Sequence, residues 1–181
     1  MTGTLRVAQT EDLLPDERAA VTELCEAAFV EPWDEAWDQV GPGLHVLAEA
    51  SGRAVAHAMI IDRRVYLGHE PDLALDVGYV EWVATDPKAR GEGHGTRVMR
   101  EIGRIIGDEY VLGALATGSN PFYERLGWDT WQGPTFVRMA DGERIRSADE
   151  DGHVMVLRTP RTPGLDLGGP IAVDWRAGDP W

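Results

Sequence analysis

Between residues 73 and 107 a nearly continuous apolar stretch runs into three glycines at alternate positions and then into a helical pattern. Leu73 to Ala84 reads as a strand, and its closing apolar run fits a strand covered on both faces. Asp86-Pro87 marks a turn. Val98, Met99, Ile102, Ile105 and Ile106 then recur at helical spacing, which predicts a helix over 95–107. Gly91, Gly93 and Gly95 stand where these two elements meet. Glycines there adopt positive φ and let a ligand approach the backbone. Their N–H groups, added to the dipole of the helix that follows, suit phosphate oxygens. Lys88 and Arg90 add countercharge. The Gly-Lys-Ser/Thr ending of a P-loop is missing, and so is the glycine spacing of a dinucleotide fold. An ordinary glycine-rich turn is the competing explanation.

The remaining pattern alternates strands and helices. Leu5 to Val7, Leu44 to Ala50, Ala54 to Tyr66, Tyr110 to Ala116 and Val154 to Arg158 read as strands. Thr130 to Ala140 reads as a strand segment broken at Gly133-Pro134. Pro15 opens a helix whose Ala20, Val21, Leu24, Cys25 and Ala28 share one face. A short helix or loop surrounds Trp33 to Trp37, and another short helix covers Pro121 to Leu126. Beyond Pro160 no period is visible. These elements predict a mixed α/β layer fold, one domain over residues 1–181, with residues 160–181 as a tail.

Charge excludes several partners. The 181 residues carry a net charge of −14, which opposes non-specific nucleic-acid binding and docking on anionic lipid. Residues 1–85 hold five basic and sixteen acidic side chains. Residues 86–104 hold five basic and three acidic ones, so the glycine loop lies in the one net-positive stretch. No apolar run is long enough to span a membrane, and the first residues lack a signal-peptide pattern, which predicts a cytoplasmic protein. Cys25, the single cysteine, is expected to be a buried thiol. The five histidines show no metal spacing. His45 and His57 read as packed or edge residues, and His94 as facing solvent.

Two regions carry polar groups that packing alone does not explain. Glu81 sits within Tyr79-Val80-Glu81-Trp82-Val83, and a carboxylate among such neighbours is costly without a partner or a task. An ion pair with an arginine is one explanation. A base with a raised pKa is the other. The final eight residues, Asp174 to Trp181, hold two tryptophans, two aspartates and an arginine, unlike a solvated linker. Asp179 and the carboxylate of Trp181 place two anions together. Asp34, Glu35, Asp38, Glu150 and Asp151 are further acids that either face solvent or line a cationic site.

Arg90-Gly91-Glu92-Gly93-His94-Gly95 and Asn120-Pro121-Phe122-Tyr123-Glu124-Arg125-Leu126-Gly127-Trp128 resemble the two signatures of the GNAT superfamily of N-acetyltransferases. Leu112-Gly113-Ala114-Leu115, Trp131-Gln132-Gly133-Pro134-Thr135, Asp151-Gly152 and Asp174-Trp175-Arg176-Ala177-Gly178-Asp179-Pro180-Trp181 are similar to the aminoglycoside 2'-N-acetyltransferases, from about residue 20 onward. The resemblance implies a mixed, mostly antiparallel sheet flanked by helices with a splayed central strand pair, a tail folding back to the active site, and a homodimer. It implies direct acetyl transfer from acetyl-CoA to an amine of an aminoglycoside antibiotic, without a metal. Glu81 would act as general base through water. Tyr123 would protonate the CoA thiolate, bond to its sulfur, or simply pack. The cofactor would lie along Trp82, Val83, Ala84, Lys88, Arg90, Gly91, Glu92, Gly93, His94, Gly95 and Thr96. Asn120 would touch it or cap its own helix. Asp34, Glu35, Glu81, Glu150, Asp151, Asp179 and Trp181 would hold the antibiotic. The acids near Glu31 to Asp38 and the short loop at Ala116-Thr117-Gly118 depart from the family, which leaves kasugamycin-like and gentamicin-like substrates both open. A polyamine or peptide amine, or sequestration without catalysis, are the alternatives.

Overall fold

The computed structural model describes residues 4–30, 33, 36–69 and 72–181. They form two compact units, Met1–Ile61 with Val80–Arg104, and Asp62–Tyr79 with Ile105–Trp181. Asp34 and Glu35 lie outside the described residues.

In the first unit β1 (Thr4–Gln9) pairs antiparallel with β2 (Leu44–Ala50), from Thr4↔Glu49 to Gln9↔Leu44. Strand β2 pairs antiparallel with the start of β3 (Arg53–Leu67). The turn between them puts Ser51 and Gly52 at φ 54° and 73°. Two successive left-handed residues match the twist of a tight hairpin. Helix α1 (Pro15–Phe29) begins with proline, and the Leu14 N–H donates to Glu17 at 2.8 Å. Its Val21, Leu24 and Cys25 are buried, as its apolar face requires. The short α2 (Ala36–Val40) buries Trp37. The end of β4 (Leu73–Thr85) and the start of α3 (His94–Glu109) complete this unit. Val98, Met99 and Ile102 are fully buried on α3, confirming the stripe read from their spacing.

In the second unit β4 pairs in parallel with β5 (Leu112–Ala116) at Gly78↔Gly113 and Tyr79↔Ala114. Strand β9 (Val154–Arg158) pairs antiparallel with β5 and with the two-residue β6 (Asp129–Thr130). On the other side of this unit, β7 (Thr135–Arg138) and β8 (Arg144–Arg146) form a hairpin. Strand β10 (Ile171–Asp174) inserts between β7, to which it is parallel, and the end of β3, to which it is antiparallel. Among the described residues the ladders are mostly antiparallel, as expected for a mixed sheet. Helix α4 (Asn120–Glu124) is a single turn after β5.

The tail is more regular than its composition suggests. Ile171, Ala172 and Val173 are fully buried. Gln132 and Gly133 N–H groups donate to the Leu167 carbonyl, and the Trp131 indole donates to the Gly169 carbonyl at 2.8 Å. Gly133 is required here: a Cβ would stand 1.9 Å from the Gly169 oxygen. Arg63 closes the end, donating to the carbonyls of Asp174 at 2.8 Å and Pro180 at 2.6 Å. The reading without a period beyond Pro160 therefore missed β10. Three apolar residues isolated among prolines and glycines give no repeat to detect.

Candidate active site

Strand β4 departs from regular geometry at one residue. Trp82 has φ 54°, a left-handed conformation that is an outlier for a bulky side chain. A strand residue turned this way makes a bulge and re-aims its neighbours, Glu81 and Val83. Glu81 is half-buried and has an interaction partner within the protein. The Trp82 indole is buried, edge-on to Trp33 at 5.7 Å and Trp37 at 4.8 Å. Its carbonyl oxygen lies 3.0 Å from Nδ1 of His57, whose Nε2 lies 2.9 Å from Nδ1 of His45. Both rings are fully buried. Burial, helped by Arg18, brings His45 down to about 4; burial, with His45 beside it, brings His57 down to about 3. Both are packed, as expected, but their pairing had no local sequence signal, since they stand twelve residues apart on different strands.

The glycine loop follows within the same unit. Asp86 accepts the Lys88 N–H at 2.9 Å and pairs with Arg53 at 2.9 Å, which pins the strand end. Gly91 and Gly93 adopt φ 85° and 83°, and a Cβ at either would meet no atom within 4 Å. The backbone is thus bare on its outer side, just before a sixteen-residue helix. Lys88 and Arg90 are exposed, and Arg90 donates to the Ala28 carbonyl at 3.4 Å. His94 corrects an expectation: it is buried, with Nε2 3.2 Å from Glu92, and does not face solvent. Glu81, Trp82, Val83, Ala84 and the loop from Lys88 to Thr96 thus follow one another within the first unit, from strand end to helix start.

The other candidate residues belong to the second unit. Tyr123 is buried on α4, edge-on to Phe122 at 4.9 Å and to Trp128 at 6.2 Å. Burial pushes its phenol up to about 12, against a smaller opposing effect of Thr117. The Asn120 amide nitrogen donates to Thr130 at 3.0 Å and to the Gly152 carbonyl at 2.8 Å, so its two N–H groups hold the fold. Asp151 is held well below the usual range, to about 2, chiefly by Arg146. It also accepts from the Thr135 N–H and hydroxyl at 3.0 and 2.9 Å. Glu150 is raised, first by burial and then by the Asp179 carboxylate. Asp179 is exposed, and its carboxylate accepts the Trp181 N–H at 3.1 Å. The Trp181 indole is buried on the Ser147 hydroxyl at 3.0 Å. Glu150, Asp179 and Trp181 are thus gathered at one place, whereas Asp151 is tied to Thr135 and Arg146. Among the described residues no cluster is suited to a metal ion, and no helix is long and apolar enough to cross a membrane.

The acetyltransferase (GNAT) domain family matches residues 11–131, two-thirds of the chain, including the segment from Glu81 to Thr96 and α4. The chain belongs to the GNAT acetyltransferases. Its fold agrees with a GNAT family N-acetyltransferase (YhbS) from Escherichia coli in complex with CoA, at TM-score 0.65 and 16% identity over 96% of this chain and 90% of that one. A GCN5-related N-acetyltransferase from Kribbella flavida aligns at TM-score 0.57 and 19% identity over 74% of this chain, which spans only 34% of that longer protein. An aminoglycoside 2'-N-acetyltransferase from Mycolicibacterium fortuitum is 34% identical over 98% of this chain and 92% of its own length. GNAT acetyltransferases use acetyl-CoA, and the loop of this one fits it. The outward-open Gly91 and Gly93 and the start of α3 suit a pyrophosphate, and the exposed Lys88 and Arg90 suit its charge.

Proposed function

We propose that this GNAT acetyltransferase acetylates the 2' amine of an aminoglycoside antibiotic. The observation that carries the substrate class is the gathering of Glu150 and Asp179 beside the buried Trp181: Asp179 accepts the Trp181 N–H at 3.1 Å, and Glu150 is raised first by burial and then by Asp179. Like charges held together are relieved by a cation that bridges them. A polycationic sugar supplies such cations, and the net charge of −14 favours its approach. The full-length likeness to the Mycolicibacterium fortuitum enzyme supports the same substrate and the 2' position.

In this reading the loop from Lys88 to Thr96 holds the phosphates, and bound acetyl-CoA supplies an acetyl thioester. Glu81 removes the proton from the substrate ammonium, through water, so that a neutral amine is available. The Val83 N–H, re-aimed by the Trp82 bulge, donates to the oxygen that becomes negative during attack. Tyr123 stays protonated at physiological pH and donates its O–H to the sulfur as the thiolate leaves. Glu150 and Asp179 hold the remaining ammonium groups, Trp181 steadies Asp179 through its N–H, and Asp151 braces the neighbouring segment through Thr135 and Arg146. The homologous action would be resistance to the antibiotic.

Release of CoA should be followed with aminoglycosides bearing a 2' amine, their 2'-hydroxyl counterparts, spermidine and a peptide amine. Turnover confined to the first group supports the proposal. Faster turnover of spermidine or the peptide would reassign the substrate, and tight binding without CoA release would make the protein a sequestering one.

A further inference from the structure

The buried histidines His45 and His57 take no part in the transfer described above, yet they end on the peptide that the transfer uses. The positions of their protons follow from the ends of the chain. The Trp82 carbonyl can only accept, so His57 Nδ1 carries a hydrogen and donates across 3.0 Å. A neutral ring then leaves His57 Nε2 as an acceptor, and His45 Nδ1 donates to it across 2.9 Å. His45 Nε2 is an acceptor in turn, 2.9 Å from the Thr10 hydroxyl. Thr10 Oγ1 accepts the Gly43 N–H at 2.9 Å, while the Thr10 N–H satisfies the Gly43 carbonyl at 3.0 Å. The one hydroxyl hydrogen of Thr10 has two acceptors in reach, His45 Nε2 at 2.9 Å and the Gly43 carbonyl at 3.0 Å, and the carbonyl is already served by the Thr10 N–H. The ring donors point one way, from His45 on β2 through His57 on β3 to Trp82 on β4, with Thr10, just after β1, at the head of the chain.

What this chain grips is strained. A tryptophan at φ 54° persists only where its surroundings over-determine it. The Trp82 indole is edge-on to Trp37, Trp37 stacks on His45 at 5.6 Å, and the Arg18 guanidinium lies 4.1 Å over the Trp37 ring. One cluster thus holds both the side chain and the carbonyl. The Trp82 carbonyl and the Val83 N–H belong to a single planar peptide unit. Fixing the one fixes the direction of the other. Hydrogen bonds in series also polarise one another, which makes the far N–H a better donor.

We infer that His57, keyed by His45 and Thr10, is a positioning residue: its Nδ1–H locks the Trp82–Val83 peptide and so aims the Val83 N–H. This rests on the role given to Val83 under the proposed function, but it can be read without turnover. Two variants separate positioning from packing. Asparagine places an N–H near the position of Nδ1, whereas glutamine reaches toward the position of Nε2. A leucine fills the space and donates nothing.

Nitrogen-15 spectra of histidine-labelled protein at pH 7 should show both rings neutral and protonated on Nδ1. Calorimetry should show that the wild type prefers acetyl-CoA to CoA, that His57→Asn keeps this preference and that His57→Leu and His57→Gln lose it. With any amine that is turned over, kcat should fall on the order of 10²-fold in His57→Leu, the cost of misaiming a reacting group, with little change in the KM for the amine and with recovery in His57→Asn. If His57→Leu does not fold, the contrast between asparagine and glutamine carries the same test. Nε2 protonation of His57, or equal acetyl-CoA preference in asparagine and glutamine variants, would overturn the inference. Absence of turnover in the wild type with an intact tautomer pattern and acetyl-CoA contrast would overturn only the proposed function.

Discussion

In the proposed mechanism the base, Glu81, and the backbone donor, the Val83 N–H, flank Trp82 on one strand. Between them Trp82 sits at φ 54°, a break in the regular strand geometry. Glu81 was legible from sequence because a carboxylate among Tyr79, Val80 and Trp82 has no packing reason to be there. The left-handed Trp82 was not legible, since its partners, Trp33, Trp37 on α2 and His57 on β3, are remote in sequence. Glu81→Gln should bind acetyl-CoA and substrate normally and lose about 10²–10⁴-fold in kcat. The deficit should narrow as pH rises toward the pKa of the substrate amine, because the neutral amine then needs no base. Steady-state kinetics across pH reads both; a constant deficit at every pH would mean that Glu81 acts otherwise than by accepting a proton.

Elements with a long period were legible at once. Strands β2 and β9 have the limits read from their sequence, and α1 and α3 extend the limits read for them by one or two residues. The short β8 and β10 were missed: β8 is only three residues long, and β10 pairs with neighbours remote in sequence, such as Leu67 and Thr135. Strand β10 depends on the close approach at Gly133. Gly133→Ala should therefore destabilise the protein by at least the ~1–3 kcal/mol typical of overpacking, because the obstacle is backbone. Urea denaturation measures this, and an unchanged midpoint would contradict the described path of the tail. Strands β2 and β3 carry a pH signature of their own. His45 and His57 have folded pKa values lowered below the ordinary 6.5, so they are neutral in the fold and take up protons first in the unfolded chain. Their contribution to stability is complete above pH 6.5. It is lost as pH falls from there toward about 4 and about 3, at up to about 1.4 kcal/mol per pH unit for each ring. His57→Asn, with one such ring fewer, should lose less stability than the wild type between pH 7 and pH 5. Parallel losses in the two proteins would show that His57 takes up its proton as readily in the fold as in the unfolded chain, contrary to its burial.

For the whole molecule the dominant quantity is charge. A net charge of −14 steers a polycation over distances comparable to the screening length, which falls from about 10 Å at 0.1 M salt to about 3 Å at 1 M. The KM for an aminoglycoside should rise several-fold, roughly, over that range, while the KM for the anionic acetyl-CoA should not rise with it. A salt-independent aminoglycoside KM would mean that uncharged contacts dominate recognition. Family membership was legible in the glycine loop and in the segment from Asn120 to Trp128, because local backbone chemistry dictates those residues. The proposed substrate residues were only partly legible: composition marked Glu150, Asp151, Asp179 and Trp181 alike, and only the fold separates Asp151, committed to Arg146, from Glu150 and Asp179.

The central claim, that this GNAT acetyltransferase modifies the 2' amine of an aminoglycoside, is tested most directly by the position of the acetyl group. An aminoglycoside with several amines should be incubated with the enzyme and acetyl-CoA, and the product assigned by NMR. A single acetyl group on the 2' nitrogen is the predicted result; acetylation of another amine, or of several without preference, would contradict it.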